Sequence, residues 1–155
     1  MKIGIPREIK IREGRVAMTP SGVRTLVHHG HEVFIEKGAG LNSCMSDKDF
    51  EQAGARMIDR ADTVWADSEM IVKVKEPVES EYAYLRDGLI LFTYLHLAAN
   101  ERLTSELLKH KVIGIAYETI QLNDGSLPLL IPMSQVAGRL AIQMGCYCLE
   151  SHHGG

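Results

Sequence analysis

Three side chains far apart in the sequence, Arg15, Lys75 and His96, have the chemistry to hold a small carboxylic acid and move its protons. A guanidinium grips a carboxylate through two parallel N–H bonds. An ammonium polarises a carbonyl oxygen, and an imidazole titrates near neutrality and can pass a proton. Together they suit a small keto or amino acid. Their positions matter as much as their types. Arg15 lies in a polar loop after a first strand-like run at residues 2–6, Lys75 closes a run at residues 70–75, and His96 closes one at residues 89–95. In open parallel sheets, ligands bind beyond the carboxyl ends of the strands. By type and spacing alone, the structural reading leads: such residues are more often surface charges or hydrogen-bonded histidines than ligand contacts.

Other groupings point to structure rather than chemistry. Gly38-Ala39-Gly40 follows a strand-like run, and Asp59 stands about where a dinucleotide fingerprint would place its acid. The third glycine position is Ser43, however, and the next helix signal is Ser46, so no helix N-terminus abuts the glycines to meet a pyrophosphate. These glycines read as a turn. His28 and His29 fall in the last turn of a helical stretch, where cations meet the negative end of the dipole. Cys146 and Cys148, two apart on a helix, point to nearly opposite sides and cannot share an ion; they read as core-facing thiols. His152-His153 belongs to a fraying end. No metal site is expected.

Short strand-like runs and helices alternate along the chain. Thr19-Pro20 sets a hydroxyl N-cap before a proline at the first helical position, opening a helix with Val23, Leu26 and Val27 on one face that stops at Gly30. Strands are expected at Glu32–Glu36 and Arg56–Ile58, with Ser46 and Asp49 forming a capping box between them. A short helix is expected around residues 63–65. Asn100 caps a helix that turns Leu103, Leu107 and Leu108 inward, and residues 112–120 form a last strand before the turn signal Asn123-Asp124-Gly125. The alternation predicts an α/β fold: three α/β/α layers around a mainly parallel sheet, of the flavodoxin-like or Rossmann-like kind.

Residues 133–151 form a helix with two apolar stripes. One carries Met133, Val136, Ala137, Leu140, Ala141, Met144 and Cys148; the other carries Ile142, Cys146 and Leu149. A helix apolar on two sides has two packing partners. The domain is expected to supply one, and the other to lie outside this chain or in another subunit. Residues 1–132 therefore read as one domain and 133–155 as a linker helix leading away from it.

At 155 residues, 45% hydrophobic, 24% charged and with a net charge of −3, the composition is that of a globular domain. It lacks the basic stripe of a nucleic-acid binder. No apolar run approaches the roughly 18 residues that span a bilayer, and the N-terminus has no signal-peptide pattern. Three cysteines make no disulfide framework, so a reduced, cytoplasmic setting is expected.

Read as strings, several stretches resemble the alanine dehydrogenases. They include Lys2-Ile3-Gly4-Ile5-Pro6-Arg7-Glu8, Glu13-Gly14-Arg15-Val16-Ala17 with Thr19-Pro20, and Gly30-His31-Glu32-Val33 with Lys37-Gly38-Ala39-Gly40. Further along stand Val72-Lys73-Val74-Lys75-Glu76-Pro77, residues 91–99 around Tyr94 and His96, Ile115-Ala116-Tyr117-Glu118-Thr119, residues 124–130, and Pro132-Met133-Ser134. The wider family includes nicotinamide nucleotide transhydrogenases; the pattern around Tyr94 and His96 favours the dehydrogenase. The resemblance implies reversible oxidative deamination of L-alanine to pyruvate and ammonia with NAD as hydride acceptor. Arg15 would hold the substrate carboxylate, and Lys75 its carboxylate or carbonyl oxygen. His96 would be the general acid/base, Tyr94 and Met133 would line the pocket, and Ser134 would touch NAD.

Full family members continue into a dinucleotide-binding domain that supplies a catalytic aspartate. That domain is absent here, so the chain is expected to be a substrate portion stopping short of the NAD site, with negligible turnover alone. A complementary C-terminal half and homo-oligomerisation are the expected partnerships. The alternatives are a non-catalytic small-acid-binding or assembly module, or a transhydrogenase fragment.

Overall fold

The computed structural model describes all 155 residues and separates them into two compact units, Met1–Ala116 and Tyr117–Gly155. The first unit is built on six strands: β1 (Lys2–Ile5), β2 (Glu32–Glu36), β3 (Arg56–Ile58), β4 (Met70–Val72), β5 (Ile90–Thr93) and β6 (Ile113–Ala116). They form one sheet in the order β3-β2-β1-β4-β5-β6, and every neighbouring pair is parallel. The order reverses between β1 and β4, which creates a topological switch point there. Central strands covered on both faces need continuous apolar runs, and Ile3, Ile5, Val33, Ile35, Ile71 and Leu91 are buried accordingly.

Helices α1 (Pro20–His28), α2 (Asp47–Gln52), α3 (Ala61–Asp67) and α4 (Glu101–Lys109) make the crossovers. The right-handedness of parallel crossovers places helices on both faces as the chain winds outward from β1 and then back, giving the three-layer α/β/α arrangement. Local chemistry starts these helices where the sequence suggests. The Thr19 hydroxyl accepts from the Gly22 amide at 3.2 Å, with Pro20 at the first helical position. Ser46 and Asp49 close a reciprocal capping box, and the Asn100 side chain accepts from the Leu103 amide at 3.1 Å. Trp65 and Val64 from α3 and Leu103 and Leu107 from α4 join Ile71, Leu89, Leu91 and Leu95 in one cluster.

Several expectations need correction. Leu108 does not turn inward: it is 74% exposed, because Leu103 and Leu107 already fill the one face α4 presents to the sheet. The strands expected at residues 70–75, 89–95 and 112–120 are shorter, ending at Val72, Thr93 and Ala116. Lys75 and His96 therefore stand in the connections beyond β4 and β5. Residues 117–119 turn into a short 3-10 helix instead of continuing the last strand.

The second unit contains the turn at Gly125, whose φ of 85° suits glycine, and α5 (Ile131–Leu149). Asp124 Oδ1 accepts from the Ser126 amide at 2.9 Å, fixing that turn. None of the 19 residues of α5 is buried. The one stripe that the domain was expected to cover is not buried, and Cys146 and Cys148, read as core-facing, are exposed. Amphipathic pattern records which side could be covered, not whether a partner covers it. No helix is long and apolar enough to cross a membrane.

Candidate active site

Because all six strands run the same way, the segments leaving β1, β4 and β5 emerge on one rim, and β1 and β4 flank the switch point. The loop after β1 carries Arg15, the segment after β4 carries Lys75, and the end of β5 carries Tyr94 and His96. The loop is pinned at several points. The Arg7 amide donates to Glu36 Oε2 at 2.8 Å, Lys10 pairs with Glu76 across 66 residues of sequence, and Ser43 Oγ donates to the Gly14 carbonyl at 3.1 Å. A loop tied to β2, to the post-β4 segment and to the turn after β2 can present an arginine reproducibly.

Arg15 itself is clamped by Glu13. Its Nε donates to Glu13 Oε1 at 2.8 Å and its Nη2 to Oε2 at 2.6 Å, while its backbone amide also reaches Oε1 at 2.9 Å. Glu13 is thereby held down to a pKa of about 2: the Arg15 hydrogen bonds lower it most, burial opposes, and the charge of Lys75 lowers it further. Glu13 thus lies within electrostatic reach of both cations. The Arg15 guanidinium is in turn stabilised first by Glu13 and then, against partial desolvation, by Tyr94 and Glu8. One edge of the guanidinium is occupied by Glu13, so a ligand carboxylate would be met by a fork whose orientation is already set.

Tyr94 and His96 are two residues apart, with ring centroids 5.9 Å apart and planes inclined at 14°. His96 adopts the left-handed region, φ 49° and ψ 39°, where the chain turns from β5 into the 3-10 helix Leu97–Ala99. A non-glycine residue there costs about 1 kcal/mol, and His96 shares that region with Arg12, Cys44 and Lys111. Glu76 also faces this side. Burial raises its pKa, but the Lys10 hydrogen bond and the charges of Lys10 and His96 outweigh that, for a net lowering. Arg15, Lys75, Tyr94 and His96 are therefore linked, through Glu13 and Glu76 and by direct contact, into one electrostatic neighbourhood.

Met133 and Ser134 belong to the second unit. Both stand in the first turn of α5, where the Ser134 amide donates to the Leu130 carbonyl at 3.0 Å, leaving its hydroxyl as the group it could present. The glycine turn does not fit a dinucleotide. The Gly38 amide is taken by Asp47 Oδ1 at 2.8 Å, and the space beside Gly40 is filled by the Met45 carbonyl and Phe50, each 2.6 Å from where a Cβ would sit. Asp59 pairs with Lys37 at 2.6 Å on the surface. The turn is structural, as its spacing from the next helix implied.

The residues the sequence did not single out are the buried charges beneath the rim. Lys73, 1% exposed, lies 2.8 Å from Glu81 Oε1 and 3.4 Å from Glu8 Oε2. Burial raises the Glu8 pKa; the Lys73 charge and the amides of Val74 and Lys75 pull against that without cancelling it. A lysine inside Ile71-Val72-Lys73-Val74 was the available signal, since a charge in an apolar run must find a partner. A separate concavity of about 640 Å3 lies at the opposite, amino-terminal ends of the strands, lined by Met1, Lys2, Glu69 and Arg86 among others, and contains none of the rim residues.

The fold is a parallel α/β domain, with Arg15, Lys75 and His96 in the segments that follow β1, β4 and β5 on one rim of the sheet. Residues 4–137 match the family described as "Alanine dehydrogenase/PNT, N-terminal domain", and the chain belongs to that family. It is 58% identical to the alanine dehydrogenase of Staphylococcus haemolyticus and 59% identical to that of Geobacillus stearothermophilus, covering all of this chain but only 41% and 42% of theirs. Among solved structures, an L-alanine dehydrogenase superposes on the whole chain with a TM-score of 0.94 at 51% identity, over 43% of its own length. A transhydrogenase from Sinorhizobium meliloti matches 76% of the chain, over 34% of its own length, with a TM-score of 0.71 at 30% identity. The chain thus spans about two fifths of the length of the curated relatives it matches.

Proposed function

We propose that this chain is the substrate-holding portion of an NAD-dependent alanine dehydrogenase, acting in the conversion of L-alanine, NAD and water to pyruvate, ammonia and NADH. The observation that carries this reading is the gathering of Arg15, Lys75, Tyr94 and His96 on the carboxyl-end rim of three adjacent parallel strands, in a chain more than half identical to alanine dehydrogenases along its whole length.

In this reading Arg15, pre-oriented by Glu13, anchors the substrate carboxylate. Lys75 contacts the carboxylate or the carbonyl oxygen and stabilises negative charge as it develops there. His96, oriented by its stack on Tyr94, is the catalytic acid/base that exchanges a proton at the substituent of the reacting carbon. Tyr94 walls the pocket; Met133 is a lining residue only as the family resemblance implies it. NAD, when bound, supplies the hydride acceptor. Ser134 is the contact this chain offers it; the glycine turn offers none. Residues 1–132 are assigned to the substrate domain and 133–155 to the helix that follows, a functional boundary that falls inside the second compact unit, Tyr117–Gly155. A reduced cytoplasmic setting accords with the three free cysteines. Self-association accords with the apolar residues exposed along α5, Ile142 at 73% and Leu149 at 77% among them.

Hydride transfer needs donor and acceptor held in near-attack geometry, and these 155 residues match about two fifths of their relatives' length. The 155-residue polypeptide by itself is therefore expected to give negligible NADH from L-alanine and NAD, and to regain turnover when mixed with a complementary C-terminal half. The direct test is an NMR titration with pyruvate. Shifts should concentrate at Arg15, Lys75, Tyr94 and His96, and Arg15→Met should weaken binding at least about tenfold. Absence of binding at millimolar pyruvate, or shifts centred elsewhere, would overturn the assignment.

A further inference from the structure

We propose that Glu8, which no expectation from sequence assigned a task, is a positioning residue for Lys75: its buried carboxylate fixes the backbone at Val74 and Lys75, and Lys73 with Glu81 locks that carboxylate in place. The inference rests on the reading of Lys75 as a substrate contact.

Lys75 lies three residues beyond the end of β4 and so has no strand ladder of its own to define its backbone. The structure supplies a substitute on both sides. Towards β5, the Lys73 amide donates to the Phe92 carbonyl at 3.1 Å and the Tyr94 amide to the Val74 carbonyl at 3.4 Å. Towards the loop after β1, the place of a missing strand partner is taken by a side chain: the Val74 amide donates to Glu8 Oε1 at 2.6 Å, and the Lys75 amide also favours the ionised carboxylate.

Glu8 Oε2 makes no hydrogen bond; it faces the Lys73 ammonium at 3.4 Å, and both side chains are at most 3% exposed. Lys73 is tied in turn to Glu81 Oε1 at 2.8 Å, while Glu81 Oε2 accepts the Val78 amide at 2.9 Å at the start of the 3-10 helix Glu79–Tyr84. Buried ion groups of this kind add little net stability, but they admit one arrangement only, since any other strands a charge away from water. The consequence is geometric. The loop bearing Arg15, the segment bearing Lys75 and the strand end bearing Tyr94 and His96 all meet at Val74. A shift at Glu8 is transmitted to Lys75 without Glu8 touching a ligand.

The test compares Glu8→Gln, which keeps an oxygen acceptor at the same reach, with Glu8→Ala, which removes it. Amide hydrogen exchange and pyruvate titration are both run on the 155-residue chain. In Glu8→Ala, protection at Val74 and Lys75 should fall at least about tenfold while the amides of β2 hold theirs, and pyruvate should bind at least about tenfold more weakly. Glu8→Gln should restore both to within about threefold. If Glu8→Ala does not fold, Glu8→Asp, one methylene short of Val74, takes its place with the same expectation. Unchanged protection at Val74 and Lys75, or equal losses in the alanine and glutamine variants, would overturn the proposal. A parent chain that ignores pyruvate would refute the proposed function instead, and the exchange data would still decide the role of Glu8.

Discussion

Replacing Lys73 by methionine removes the one ammonium lying between two buried carboxylates and keeps nearly the same volume. The lysine is 1% exposed and Glu8 and Glu81 are 3% and 5% exposed, with the ammonium 3.4 Å from the first carboxylate and 2.8 Å from the second. Breaking a buried ion group by removing one member costs about 3–5 kcal/mol, because the partners keep their desolvation penalty and lose what offset it. Against the roughly 5–15 kcal/mol that holds a domain together, this is a large fraction, equivalent to a fall in Tm of roughly 10–15 °C. The destabilisation should also depend on pH. Burial already raises the Glu8 pKa, and the Lys73 charge is the strongest influence holding it down. Without Lys73 it rises further. A carboxyl whose folded pKa lies above its unfolded value favours the fold below the unfolded pKa, near 4.5, and loses that contribution as pH rises through the folded value. Lys73→Met should therefore be more destabilised at pH 8 than at pH 5, by about 1 kcal/mol or more. Urea unfolding at the two pH values measures both quantities, and Glu8→Gln combined with Lys73→Met should recover part of the stability at pH 8. A destabilisation under about 1 kcal/mol at pH 8, or one of equal size at both pH values, would refute the view that these three charges form a mutually dependent buried group.

Glu13 gives a pH dependence of the opposite sign. Its folded pKa is depressed to about 2, so the stability it contributes is present above its ordinary value of 4.5 and is lost as pH falls through about 2. With Arg15 42% exposed, solvent screening limits this to about 1 kcal/mol. A carbon-13 titration should find the Glu13 carboxyl near that depressed value, and Arg15→Gln should return it upward by more than about one unit; an unperturbed Glu13 in the parent would dismiss the clamp. Gly40→Ala drives a methyl to 2.6 Å from both the Met45 carbonyl and Phe50, and should cost about 1–3 kcal/mol in thermal unfolding without altering pyruvate affinity. A neutral substitution there would mean the turn after β2 is looser than its packing implies.

How much of this was legible in the sequence varies with the range of the interaction involved. Thr19-Pro20, Ser46 with Asp49, and Asn100 each cap a helix as read, because a cap is settled by groups three residues apart. Strands β2 and β3 begin and end where their composition and flanking turns place them, and the parallel sheet follows from helices standing between strands. The insufficiency of the Gly38 turn as a nucleotide cradle was also readable, from its distance to the next helix. Tertiary structure decided the rest. Leu107 and Leu108 are neighbours of equal apolarity, and only the angle at which α4 meets the sheet buries one and exposes the other. Lys73 and Lys75 alternate within one string, yet the first is sealed between carboxylates and the second stands at the rim. Its partner Glu8 is 65 places away and is brought there by the pairing of β1 with β4. Burial and ion pairing depend on what other elements place on the far side of a residue, so the free energy of a charge is a property of the assembled fold, whereas a cap or a strand run is a property of its own few residues.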